Sequence, residues 1–154
     1  MENKNILAKK VLDLYEDENQ NLDNALDEII NRNYTILPTN ICVGSVYKVD
    51  YEGDLKQEGY EKAYLYLPKG TGIKLHKHIK DIERYEVLMG RLSVNGREVD
   101  VNDCLIGESH NIDICSEDTI IRTLKISEEL IDKYDCEKIE KDIKVIQLKN
   151  KEIL

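Results

Sequence analysis

Three histidines are all that the 154-residue chain contains, and they are not scattered. His76 and His78 form an H-x-H pair inside Gly72-Ile73-Lys74-Leu75-His76-Lys77-His78, a segment that could be extended. On a strand, residues two apart point to the same face, about 6.6 Å apart along the backbone, so two imidazoles can converge on one ion. Glu83 comes five residues later, after Ile79-Lys80-Asp81-Ile82, a stretch long enough to turn the chain. The third imidazole, His110, follows Gly107-Glu108-Ser109. Neutral imidazole nitrogens with one carboxylate suit one divalent transition metal (Mn, Fe, Co, Ni, Cu or Zn) and do not suit Ca or Mg. Glu83 could also be a solvated carboxylate in a charged turn. Glu86 is the competing acid, although strand alternation would turn it away from Glu83.

Around these residues stand weaker candidates. Tyr85 shares the face of Glu83 and could line a pocket or simply pack in the β-core. Lys69, Lys74, Lys77 and Lys80 reverse the sign of charge locally in a chain of net charge −9. Lysines keep an exposed strand edge from pairing, and they could equally draw an anionic ligand toward a metal. On a regular strand Lys74 would share the face of His76 and His78, while Lys77 would point away. Arg122 is a fainter candidate of the same kind. The four cysteines, at 42, 104, 115 and 136, include no C-x-x-C pair and read as reduced thiols rather than as zinc ligands or a disulfide framework.

Elements must position these groups. Leu7, Val11 and Leu14, then Leu22, Leu26 and Ile29, recur with helical spacing on either side of Asp17-Glu18-Asn19-Gln20-Asn21, so a helical pair is expected, with Asn21 as the second N-cap and Pro38 barring continuation. From Ile41 the pattern turns to short strands: Ile41–Val49, Glu61–Leu67, Leu88–Val94, Val99–Leu105, Asn111–Ile114 and Thr119–Ile126. Asn95-Gly96 supplies the two positive φ angles of a type I′ hairpin. Ser127–Ile131 reads as a helical turn and Ile143–Leu148 as extended. Many short strands argue for a mainly β sandwich or barrel.

Composition narrows the function. An acidic chain whose nine aromatic residues are all Tyr is a poor binder of nucleic acid. The longest apolar stretch, Ala63–Leu67, falls far short of the roughly 20 residues a membrane helix needs, and Met1-Glu2-Asn3-Lys4-Asn5 does not lead into a signal-peptide core. A cytoplasmic protein with no nucleic-acid or membrane partner is expected.

The spacing Gly70-x5-His76-x-His78-x4-Glu83-x6-Gly90 resembles the first conserved motif of the cupins at every position. Gly107 and His110 match the G-x2-H of the second motif, while Val99, Leu105 and Ile114 stand where Gly, Pro and Asn are usual. The resemblance runs from about Lys69 to Ile126. It implies a double-stranded β-helix (jelly-roll) barrel and one metal held by His76, His78, Glu83 and His110. Beyond its reach, the barrel is expected to take residues 41–154 with a C-terminal extension, and the helical segment, residues 1–40, to pack on it; Lys74, Tyr85 and Arg122 stand as pocket candidates from their own positions, with no catalytic residue designated. Cupins with this ligand set include dioxygenases, isomerases, decarboxylases and sugar-modifying enzymes, and dimers are common among them. The expectation is a metal-dependent enzyme acting on a small polar metabolite, a sugar or an anionic carboxylic acid. The alternative is a non-catalytic metal- or ligand-sensing module, which would leave an apolar face exposed on helices 5–31.

Overall fold

The computed structural model describes Ile6, Lys9, Leu12, Asp13 and residues 22–31, 34–50 and 60–128. One helix, α1 (Leu22–Asn31), is continuous among them. Of the first expected helix only Ile6, Lys9, Leu12 and Asp13 are described, all helical, so among the described residues one continuous helix is present and the expected pair is not supported. Asn21, Cys136, the rest of the Ser127–Ile131 turn beyond Glu128 and the Ile143–Leu148 segment lie outside the described residues.

Eleven strands follow among the described residues: β1 (Thr35–Ile36), β2 (Cys42–Val43), β3 (Tyr47–Asp50), β4 (Tyr60–Leu67), β5 (Gly72–Lys77), β6 (Asp81–Met89), β7 (Leu92–Val94), β8 (Arg97–Val99), β9 (Val101–Cys104), β10 (Ser109–Ile112) and β11 (Thr119–Ser127). They form two antiparallel sheets, β1-β3-β4-β11-β6-β9 and β2-β5-β10-β7-β8. The mainly β expectation holds.

Three segments that read as single strands are each two strands in different sheets. Ile41–Val49 is broken at Gly44 (φ +74°), Leu88–Val94 at Gly90 (φ +85°), and Val99–Leu105 at Asp100. At each break the chain crosses from one sheet to the other. Side-chain propensity marks a residue as extended but says nothing about which sheet it joins. The expected hairpin forms: Asn95 and Gly96 have φ of +52° and +78°, and Val94 pairs with Arg97.

The main core lies between the sheets. Leu65, Tyr85 and Ile121 of the larger sheet meet Ile73, Leu92, Val94 and Ile112 of the smaller one. The central strands β4 and β11 bury side chains on both faces because α1 covers part of the outside. Leu22, Ala25, Leu26 and Ile29, spaced i, i+3, i+4, i+7, pack on Tyr64 and Ile120. Farther along that outer face, Arg84 of β6 is buried and bound by Asp103 (2.7 and 3.1 Å) and by helical Asp13 (2.7 Å).

Candidate metal centre

Antiparallel pairing of β5 with β10 sets His76 directly opposite His110. His78 sits just past the end of β5, where its carbonyl accepts the Gly107 N–H at 2.8 Å and closes the turn. The three rings form a cluster, with centroids 4.3 Å apart for His76–His110 and 5.2 Å for each pair involving His78. One nitrogen from each lies within 4.8 Å of the other two.

The chain also orients the rings. His76 Nδ1–H donates to the Lys74 carbonyl at 2.7 Å, and His110 Nδ1–H donates, more weakly at 3.3 Å, to the Glu108 carbonyl. Both bonds reach back two residues, and both leave Nε2 with its lone pair directed into the cluster. The Nε2 atoms of His78 and His110 are buried and have no hydrogen-bond partner. A buried polar atom that makes no hydrogen bond is costly, and imidazole nitrogens converging in that state are the donors a transition metal takes. The donor set therefore fits a transition metal.

Glu83 reaches the cluster from the facing sheet. Its Oε1 lies 3.3 Å from His78 Nε2, and its Oε2 lies 3.9 Å from Lys125 Nζ. Burial pushes its pKa up, yet His78 and Lys125 outweigh burial and hold the carboxyl at about 2. The side chain is thus an anion beside the imidazoles. Burial, with help from His76, lowers the pKa of His110, which keeps that ring neutral and able to ligate. Tyr85, 2% exposed, points inward beside Glu83 and interacts with it and with Cys104; burial, then the Glu83 charge, raises its pKa well above the ordinary phenol value. Cys104 is pushed up to about 12, chiefly by burial, and is no thiolate ligand. Cys42, Cys104 and Cys115 are all free thiols.

A cavity of about 110 Å³ opens on this cluster, lined by His76, His78, Glu83 and Tyr85, by the apolar Leu37, Ile41, Leu65 and Ile73, and by Lys48, Glu61, Thr123 and Lys125. Two sequence candidates do not line it. On β10 the step from His110 to Ile112 spans two residues, while on β5 the partners His76 and Ile73 are three apart, so Lys74 and Leu75 oppose Asn111 as a bulge. The extra residue breaks the alternation: Ile73 and His76 face inward and the Lys74 side chain is exposed. What Lys74 contributes is its carbonyl. Arg122 is 1% exposed on the outer face of β11, where it pairs with Glu86. Two lysines that sequence reasoning missed, Lys48 and Lys125, line the cavity, and Lys125 is the one beside Glu83. It lies three residues beyond Arg122 and therefore on the opposite face; strand parity within Thr119–Ile126 was the available signal.

No family model and no curated protein matches the sequence. Solved structures do match. A predicted oxalate decarboxylase from Thermotoga maritima aligns at 24% identity over 64% of this chain and 95% of its own, with a TM-score of 0.55. A cupin-like protein from the same organism aligns at 13% identity over 66% and 83% of the two chains, with a TM-score of 0.53. The chain folds as a cupin. An acetylacetone dioxygenase from Acinetobacter johnsonii matches at 15% identity over 72% of this chain and 74% of its own, with a TM-score of 0.51. At these identities the likeness speaks for the fold. The three-histidine cluster inside this barrel is an observation of its own.

Proposed function

We propose that the protein is a metal-dependent cupin enzyme that acts on a small polar metabolite. His76, His78 and His110 would supply three neutral nitrogens and Glu83 one anionic oxygen to a single divalent transition metal. Such an ion polarises a coordinated oxygen or lowers the pKa of bound water. The observation that carries the reading is the convergence of three imidazole nitrogens within 4.8 Å of one another, with His110 Nε2 buried and unpaired and His78 Nε2 met by the Glu83 carboxylate.

The chain's own groups divide the remaining work. Glu83 would neutralise one charge of the ion that the imidazoles leave untouched. Tyr85, a phenol kept protonated, is placed to hold a proton against the Glu83 carboxylate at the cavity wall. Leu37, Ile41, Leu65 and Ile73 exclude water from one side, which strengthens every charge interaction inside. The names of similar structures, a decarboxylase and a dioxygenase, support an enzyme without selecting a reaction.

A sensing module would leave an apolar helix face free. The apolar stripe of α1 is packed on the barrel, and among the described residues of 5–31 Ile6 and Ile30 are the large apolar side chains left exposed. Elemental analysis of untagged protein should find about one equivalent of transition metal per chain. His76→Ala with His78→Ala should abolish it, and full occupancy in that double variant would overturn the assignment.

A further inference from the structure

The inner face of the larger sheet carries a row of charges. Across four adjacent strands, Glu61 of β4, Lys125 of β11, Glu83 of β6 and Cys104 of β9 are successive cross-strand partners. The next row, Ala63, Thr123, Tyr85 and Asn102, is uncharged. Lys125 therefore enters the cavity between two carboxylates. It stands one carboxylate's width from the imidazoles, since Glu83 turns Oε1 to His78 and Oε2 to Lys125.

The balance of charge around the cavity gives this placement a consequence. Among the groups lining it, Lys48 and Lys125 offset Glu61 and Glu83. A divalent ion held by neutral imidazoles would then leave the cavity with two positive charges in excess. In a small space walled partly by aliphatic side chains, such an excess favours an anionic occupant.

We infer that Lys125 anchors the carboxylate of a compact diacid or keto acid whose other oxygen end faces the imidazole cluster. The inference rests on the metal reading above and adds the ligand class and the residue that selects it. Lys125 and His78 both contact the one Glu83 carboxylate, so a ligand reaching from Lys125 to the imidazoles needs only a few carbons between its ends. Lys74 and Arg122 have no part, because neither lines the cavity.

The test loads the full chain with cobalt(II), measures bound metal first, and then titrates calorimetrically with malonate and with its neutral diamide, malonamide. Wild-type protein should hold metal and prefer malonate at least tenfold. Removing a charge-assisted hydrogen bond from such a site weakens binding about tenfold or more. Lys125→Met should keep its metal and lose the preference, Lys125→Arg should keep both, and exposed Lys77→Met should behave as wild type. If Lys125→Met does not fold, Lys125→Gln carries the same reading. Equal affinity for the two probes in wild type, or an undiminished preference in Lys125→Met, would overturn the proposal. Loss of metal in Lys125→Met would overturn it too, reducing Lys125 to a support for Glu83. Wild-type protein without metal would instead sink the metal reading on which it stands.

Discussion

His76 and His110, 34 positions apart in the chain, are direct cross-strand partners whose ring centroids stand 4.3 Å apart. Backbone pairing brings them together, so the cluster is assembled before any ion arrives. Chelator-treated protein should keep its β-rich circular dichroism, and adding zinc should raise its melting temperature as any ligand specific to the folded state does. Loss of the β signal on chelation would show that the ion builds the barrel.

Glu83 and Glu86 should separate cleanly when each is changed to Gln. Glu83 faces His78, whereas Glu86 turns outward to the buried Arg122 guanidinium. Glu83→Gln should weaken metal binding at least tenfold with the fold intact. Glu86→Gln should keep its metal and lose about 1–3 kcal/mol of stability, because it weakens a charge-assisted bond to a buried cation. Metal titration and urea denaturation of both variants measure this; the reverse pattern would show that the register of β6 is different.

Acid should destabilise the metal-free protein in two stages. His110 has a folded pKa below its ordinary value of 6.5, so the unfolded chain takes up that proton first and stability falls as pH drops below 6.5. Glu83 titrates at about 2 when folded against an ordinary value of 4.5, so it adds a second loss from about pH 4.5 downward. Both stabilisations are complete above these unfolded values. Denaturation midpoints measured from pH 8 to pH 3 should show both stages in wild type and only the upper one in Glu83→Gln. Constant stability between pH 7 and pH 5 would show that folding does not depress the His110 pKa.

The motif glycines should differ in cost. Both Gly70 (φ +88°) and Gly90 (φ +85°) lie in the left-handed region, where a side chain costs about 1–2 kcal/mol. A Cβ on Gly70 meets nothing within 4 Å, but on Gly90 it would lie 2.4 Å from the Asp118 carbonyl oxygen. Gly70→Ala should cost about 1 kcal/mol and Gly90→Ala about twice that or more, read from urea midpoints. Equal losses would mean that the β6–β7 corner yields.

What is local to the chain was legible in the residues alone. The H-x-H spacing, the distance to Glu83 and the Asn95-Gly96 turn depend only on chain periodicity and on which residues accept positive φ. All three therefore appear in the structure as read. The strands Glu61–Leu67 and Thr119–Ile126 were legible for a like reason, being rich in β-branched, Leu and Tyr residues. Everything that depends on a partner strand had to wait for the packed fold. Which sheet a segment joins is settled by hydrogen bonds to strands far away in the chain, so the crossings at Gly44, Gly90 and Asp100 were hidden inside three continuous β patterns. The bulge at Lys74–Leu75 exists only relative to β10, and one extra residue there exposes the Lys74 side chain while its carbonyl orients His76. The choice between Arg122 and Lys125 turned on which face of β11 looks inward. A strand alternates between two faces, and only the sheet packed against it decides which of the two becomes the cavity.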